Sequence, residues 1–498
     1  MKSQAKKSLL ALAISAGIGL SAQAMASDVS EIGVNQSGER NEVTVEQTGL
    51  LNAGEFAQIG NDNKGSITQN GVWNEAYVTS TGNENSVTVD QSEDWHIANT
   101  TQTGDGNTDN VTQSGFFNQS TADTVGNGNG VDVMQAGALN ESNVELTGDN
   151  NSAWVDQEGD SNYAVFRVQG NDNDGEITQV GNGNQGGLIA LDFSANVGNN
   201  NDVTVSQLGD NNVGGVRGVA GDDNEVEMDQ QGNNNVAFVY ALQGNNNDLT
   251  MVQDGDRNTA VLEFTTGDNN DVEITQTGTE NAIGDALIAV IEGNDNQIDI
   301  EQDGNLNTAQ FIVAGDDNDV DLEQEGDSNY AEFVAFGNDN TLDLSSEGTS
   351  NEIQAGAFGE DNSLEVMQEG ETNFAYVSAT GDDNEVDVTQ EGVSNEAIVT
   401  VEGNSNTDVV AAQTGDLNVL DLLIFGDENT ADIAQTGNGN WVGAADGNGA
   451  FAIVGDGNSL MIAQTGNDNL VMGSQAGTNN VINVTQVGNE NTATVIQH

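Results

Sequence analysis

The sequence predicts an all-β protein: a β-solenoid of about twenty strand-turn-strand rungs, with two parallel sheets facing each other across a thin core. Three observations carry that prediction. A motif recurs every 22 residues along nearly the whole chain. Within each copy, apolar and polar residues alternate with period two. And a chain of 498 residues holds 62 Gly but no Pro, as a fold built from ladder bonds and tight turns requires.

The motif is N-x5-Q-x-G-x-x-N, usually followed by x-A, a β-rich stretch and G-x-x before the next N. Its first Asn stands at 41, 63, 85, 107, 129, 151 and 173, and again at 296, 318, 340, 362, 384 and 406. Twenty units can be counted, the last opening at Asn480. All keep the first Asn and the Gly three residues before it. Eighteen keep the Gln in register; Ser346 replaces one, and Gln413 is displaced by one residue.

Each half-unit reads as a half-buried strand. Asn41, Val43, Val45 and Gln47 share one face, and Glu42, Thr44 and Glu46 the other. In second halves, Asn307, Ala309, Phe311 and Val313 share a face, as do Asn395, Ala397, Val399 and Val401. The G-x-x-N segments between them are turns. Gly supplies positive φ there, which Asn and Asp also tolerate. The turn glycines include Gly49, Gly60, Gly115, Gly326 and Gly381.

One unit cannot bury its own apolar face, but a stack can. Rungs spaced at about 4.8 Å would make a rod of roughly 95 Å. Amides at equivalent positions would then stack into ladders, each satisfied by its own copy one rung away. The expected ladder residues include Asn41, Gln47 and Asn52, then Asn63, Gln69 and Asn74, then Asn107, Gln113 and Asn118. Further along they include Asn318, Gln324 and Asn329, and Asn384, Gln390 and Asn395.

The departures are local. The spacing lengthens to 28 residues from Asn173 to Asn201, 26 from Asn270 to Asn296, and 29 from Asn429 to Asn458. The extra residues fall around Gln185 to Asn196, Ala282 to Glu292 and Trp441 to Val454. They read as bulges or loops on one edge, by drift or as binding loops. One turn is broken: Ser92-Glu93-Asp94-Trp95-His96 puts His96 where Asn belongs, a tolerated irregularity rather than a ligand site.

Residues 1–26 read as a secretory signal peptide. Lys2, Lys6 and Lys7 precede an apolar run from Leu9 to Leu20, followed by A-x-A cleavage options ending at Ala24 or Ala26. Residues 27–40 form a short segment with a partial repeat (Ser30, Gln36, Gly38). Residues 41–498 are the repeat array.

Charge excludes several functions. The chain carries 81 acidic against 8 basic residues, a formal charge of -73. It would repel nucleic acid rather than bind it. No apolar run beyond the N-terminus is long enough for a stable membrane span. There is no Cys, and the two His, His96 and His498, leave little for zinc or histidine catalysis. An enzyme is disfavoured, since carboxylates repeat as ladders with no unique cluster and few basic groups could clamp a substrate. Ice binding would need flat Thr ladders, but Thr44, Thr88 and Thr204 alternate with acids.

The acids occupy outward positions such as Glu225, Glu227 and Asp229, and turn pairs such as Asp316-Asp317 and Asp382-Asp383. Like charges near 5 Å apart cost roughly 0.8 kcal/mol per pair in water before screening. Apolar burial of several kcal/mol per rung offsets this, with a margin that depends on salt. The acidic faces are a solubility device, or a surface for weak Ca2+ or Mg2+ binding; no other cofactor is expected. The Ca-binding β-roll repeats at nine residues and is a different family. Outward Trp154, Tyr163, Tyr330, Phe374 and Tyr376 suit cross-strand packing, lateral contact between rods, or carbohydrate stacking.

The motif N-x5-Q-x-G-x-x-N-x-A, in tandem behind a secretion signal, resembles the curlin repeat. Gln47-Thr48-Gly49-Leu50-Leu51-Asn52-Ala53 and Gln113-Ser114-Gly115-Phe116-Phe117-Asn118 show it clearly. Curlins are subunits of curli, bacterial extracellular amyloid fibres. The resemblance implies a secreted protein that crosses the outer membrane unfolded through a dedicated pore. It implies polymerisation on a surface nucleator, into fibres for biofilm matrix, surface adhesion and cell aggregation. The chain departs from the pattern in having many more repeats, only a short segment before them, and extreme acidity. A non-polymerising rod-like adhesin or matrix module is the alternative. Repeat strands run to Gln497 without a recognisable cap, which leads to the expectation of end-to-end polymerisation of the chain with itself.

Overall fold

The computed structural model describes residues 20–25, 30–187, 196–284, 289–444 and 449–498. It divides into two compact units, Met1–Asn246 and Asn247–His498. Both are β-solenoids, and no helix occurs among the described residues.

In the first unit, the first strand of each repeat joins one parallel sheet. Glu42–Leu50 pairs with Lys64–Val72, which pairs with Ser86–Asp94, and so on to Glu225–Gln231. Register follows the repeat, with Val43 opposite Gly65 and Gly65 opposite Val87. The second strands, such as Ala53–Ile59 and Glu75–Thr81, form the other parallel sheet. The second unit repeats this plan from Asp248–Asp256 to Thr492–Gln497.

The alternation fixes which side chains meet in the core. Val43, Val45 and Phe56 are buried, as are Ile298, Ile300 and Phe311 in the second unit. Large residues are matched by small ones across the thin core. A Cβ on Gly65 would lie 2.1 Å from the ring of Phe56, and one on Gly175 1.8 Å from that of Phe166. Phe311 and Phe333 stack with centroids 5.2 Å apart.

The turn glycines have two reasons to be glycine. Gly326 has φ 109° and Gly381 116°, and Gly49, Gly60 and Gly115 lie in the same region. The second reason comes from the stack. A Cβ on Gly326 would lie 2.1 Å from the carbonyl oxygen of Gly348, its copy one rung on. The rung spacing itself leaves no room for a side chain.

The three long insertions interrupt only the second sheet. Gln185–Gly187 and Asn196–Val197 both pair with Tyr163–Gln169. The first sheet continues past them, with Asp174 opposite Asp202. Ala282–Ile283 with Ala289–Glu292, and Trp441–Gly443 with Phe451–Val454, flank the other two. The inserted residues 188–195, 285–288 and 445–448 lie outside the described residues. So do residues 1–19 of the segment read as a signal peptide. Its last part, Leu20–Met25, is a strand parallel to Glu42–Leu50, with Ala24 opposite Gln47.

Candidate functional site

Two kinds of amide ladder hold the rungs. The Gln ladder has the form expected from stacking. Gln47 Nε2 donates to Gln69 Oε1 at 2.7 Å, and Gln113 to Gln135 at 2.8 Å. Gln302 donates to Gln324, and Gln390 to Gln413, each at 2.8 Å. The second Nε2 proton goes to a backbone carbonyl of the facing sheet, as from Gln69 to Ala53 at 2.9 Å. A Gln that makes both bonds, as Gln69 does to Gln91 and to Ala53, ties its rung to the next and one sheet to the other.

The Asn ladders contain the expected amide-to-amide bonds and add backbone bonds to them. Asn63 donates its backbone N–H to Asn41 Oδ1 at 3.0 Å, and Asn74 does the same to Asn52. Nδ2 donates to the turn glycine carbonyl one rung on: Asn41 to Gly60 at 2.9 Å, Asn318 to Gly337 at 2.9 Å. Asn107, Asn118, Asn329, Asn384 and Asn395 make the same bond to Gly126, Gly137, Gly348, Gly403 and Gly415. An Nδ2-to-Oδ1 bond also runs between copies, 3.2 Å from Asn63 to Asn41 in the first column and 3.1 Å from Asn395 to Asn373 in the second. The Asn is thus a clamp on the turn backbone, all but fully buried.

Gln413 is displaced in sequence yet sits in the ladder. Asp408, at φ 57°, absorbs the extra residue before the strand Val409–Thr414. Gln390 is then opposite Gln413. His96 fills an Asn place. It donates its backbone N–H to Asn74 Oδ1 at 3.0 Å, and its Nδ1 accepts the N–H of Asn118 at 3.3 Å. Nε2, 2.8 Å from Ser92 O, then carries the proton. Burial lowers the His96 pKa.

Sequence reasoning missed two further ladders. Gln36 donates to Gln58 at 2.7 Å in the second sheet, a column that also holds Ser80 and Gln102. The signal was there: Gln58 follows Asn52 by six residues, as Gln47 follows Asn41. The residue after the turn glycine forms an exposed ladder. The N–H of Asn83 donates to Asp105 Oδ1 at 2.7 Å, that of Asp105 to Asn127 at 3.0 Å, and that of Asn127 to Asp149 at 2.8 Å. Asn and Asp interleave there, which separates like charges.

The curlin associated repeat matches residues 60–92, 148–181, 221–255, 244–278, 293–325, 315–348, 359–392, 381–415, 426–466 and 455–488. These segments cover more than half of the chain. The chain belongs to the curlin-repeat family. A comparison with individual curated proteins gives no match.

In this curlin-repeat chain the surface charge is uneven. Arg40 pairs with Asp62, Arg257 with Glu280 at 2.8 Å, and Arg167 lies 3.5 Å from Glu145. In the second unit Glu273, Asp299, Asp321, Asp343, Glu365 and Asp387 stack in one outward column. Burial, then the neighbouring acids, raises the pKa of Asp299 and Asp321; for Glu365 the charge of Asp387 is the larger cause. Among the described residues, no group of three or more His, Asp or Glu gathers as metal ligands would. No helix among them is long and apolar enough to cross a membrane. Trp154 and Tyr376 are exposed, and Tyr330 bonds Gln310 and Glu332.

Proposed function

We propose that this chain is a secreted, self-assembling fibre subunit of the curli type, serving biofilm matrix, surface adhesion and cell aggregation. The observation that carries the reading is the direction of the Gln ladder. Where Gln follows Gln in the first-sheet ladder, Nε2 donates toward the higher-numbered rung, as from Gln47 to Gln69 in the first unit and from Gln464 to Gln486 in the second, so an acceptor is left at the low-numbered edge and a donor at the high-numbered edge. Gln36 Oε1 and Gln47 Oε1 are buried without a donor. Gln486 Nε2 donates to Leu470 O, and the same geometry, repeated, directs its second proton at a Gln Oε1 one rung on. A second copy docked head to tail supplies that oxygen.

Export fits this reading. The signal segment 1–26 includes Leu20–Met25, the strand beside Gln47, so its removal after Ala24 or Ala26 opens the acceptor edge only once the chain has left the cytoplasm. An outer-membrane pore and a surface nucleator are the partners that family membership suggests. A catalytic role has no support in a surface whose acids recur rung after rung.

The second reading is a non-polymerising adhesin or matrix rod that takes up divalent cations on its acidic faces. The stacked acids from Glu273 to Asp387 favour it. Electron microscopy of residues 27–498, incubated in moderate salt without divalent ions, separates the two. The first reading expects unbranched fibres much longer than one chain can span. Single short rods that never lengthen would leave the second.

A further inference from the structure

One edge of the first unit breaks the rule of polar turns. The residue before the second Asn of each repeat sits at positive φ, and in later rungs it is Ser161, Gly183, Asn211 or Asn234. In five successive rungs it is instead Leu51, Trp73, Trp95, Phe117 and Leu139, at φ 60°, 65°, 69°, 59° and 60°. Bulky residues are disfavoured in this conformation. Trp73, Trp95 and Phe117 are also exposed, at 41%, 38% and 43%. Leu50 and Phe116 widen the strip. Neither local backbone preference nor core packing accounts for such a column.

The rings are arranged for a particular contact. Trp73 and Trp95 stack at 5.0 Å, and Trp95 and Phe117 at 5.2 Å. Their faces are spent on one another, which leaves edges outward. That disfavours a sugar ring, which stacks on an aromatic face. It suits edge-to-face packing with other aromatic rings, as Phe116 and Phe117 already do at 4.7 Å.

We propose that this ridge is a lateral docking surface for a second copy of the same chain, related by a two-fold axis through Trp95. The order Leu51, Trp73, Trp95, Phe117, Leu139 is close to palindromic. A two-fold contact sets Leu51 against Leu139, Trp73 against Phe117, and Trp95 against its copy. Charge selects the same occupant. With a formal charge of -73, two copies repel over most of their surface. The ridge turns hold few acids: Glu93 beside Trp95, and Asp94, whose Oδ1 accepts the N–H of Val72. The exposed apolar area is on the order of 500 Å² per copy, from aromatic side chains of about 150–250 Å² each. That is below the roughly 800 Å² per partner of a standard stable interface. The pairing is therefore weak and concentration-dependent, and it tightens as salt screens the repulsion. This lateral contact is independent of head-to-tail growth.

The chain lacks Cys, so single cysteines report the contact. Trp95→Cys in residues 27–498 is expected to form disulfide dimers under mild oxidation. Its yield should exceed that of Ser161→Cys, an exposed turn site beyond the ridge, by about ten-fold, as a held contact exceeds random collision. Leu51→Cys should not link to itself but should link to Leu139→Cys when the two are mixed. Trp73→Asn, Trp95→Asn and Phe117→Asn together, Asn being suited to these φ values, should abolish concentration-dependent pairing in sedimentation while leaving the β-sheet spectrum intact. Equal yields at positions 95 and 161, or self-linking at position 51, overturns the two-fold ridge. So does undiminished pairing of the triple variant.

Discussion

Ser346 Oγ and Gln368 Oε1, one rung apart in the same inward column, are both buried and both lack a hydrogen-bond partner. They mark the one break in the Gln ladder of the second unit. Gln324 still receives Gln302 at 2.8 Å, and Gln368 still gives to Gln390 at 2.8 Å. Between them Ser346 is too short to bridge. The column facing the ladder varies in size: a Cβ on Gly54, at the corresponding place in its rung, would lie 3.3 Å from Gln47 Nε2, whereas Ile283 and Leu420 hold that place beside the intact pairs Gln276–Gln302 and Gln413–Gln435. Beside Ser346 that place holds Ile353, buried as Ile283 and Leu420 are.

Ile283 and Leu420 leave their Gln pairs intact, so restoring the ladder should need a change at position 346 alone. Ser346→Gln is expected to stabilise by about 1–3 kcal/mol, the cost of leaving buried polar groups unmet. Denaturant melting measures the gain. An unchanged or lowered stability would argue against the ladder as a source of it.

Asp109 stands in the inward column between Val87 and Val131. Both carboxylate oxygens are buried without a partner, as is Thr100 Oγ1, which faces it as Phe166 faces Gly175. Burial raises its pKa well above the usual range; the nearby Gln102 amide pulls the other way, but without a normal hydrogen bond to either oxygen. Its folded state prefers the proton more than its unfolded state does. Stability from this site is thus complete below about pH 3.9 and falls as pH rises through the folded value. Asp109→Asn should stabilise at neutral pH by about 1–3 kcal/mol. The gain should vanish near pH 3, which thermal melts at the two pH values would check.

His96 has the opposite sign. Its folded pKa is lowered by burial, and protonation would turn Nδ1 from an acceptor into a donor facing the Asn118 N–H. Its contribution is present above the unfolded value of about 6.5 and is lost as pH falls through that value toward the folded one. His96→Asn should match wild type at pH 8 and exceed it at pH 5. Hydrogen exchange of the Asn118 amide reads this locally.

The second unit's stacked acids should respond to divalent cations. Millimolar Ca2+ at fixed ionic strength is expected to raise the melting temperature by a few degrees. An unchanged melting temperature would remove cation bridging and leave the acids as a solvated face.

Much of the fold was legible because one physical constraint repeats. Alternation named the inward Val43 and Val45, and Asn, Gln and Gly at fixed spacing named the ladders and turns. What was not legible depended on backbone geometry. That Asn41 accepts a backbone N–H, rather than only its copy's amide, follows from the turn's shape. Gln413 looked out of register because sequence counts residues, while the bulge at Asp408 restores its place in space. Single extra residues at Arg217, Tyr240 and Glu263 break second strands in the same way. The steric demand on Gly326 needs the neighbouring rung before it exists at all. The Leu51-to-Leu139 ridge was open to view, but its residues look ordinary until their positive φ is known.

In the fibre, the directional Gln ladder should pass from one chain to the next. High-resolution electron microscopy of fibres grown from residues 27–498 tests it at the junction. Gln486 of one copy should lie one rung from Gln47 of the next, at the strand spacing of about 4.8 Å found within a sheet. Fibres joined only through side contacts, or a junction where the Gln column is broken, would contradict it.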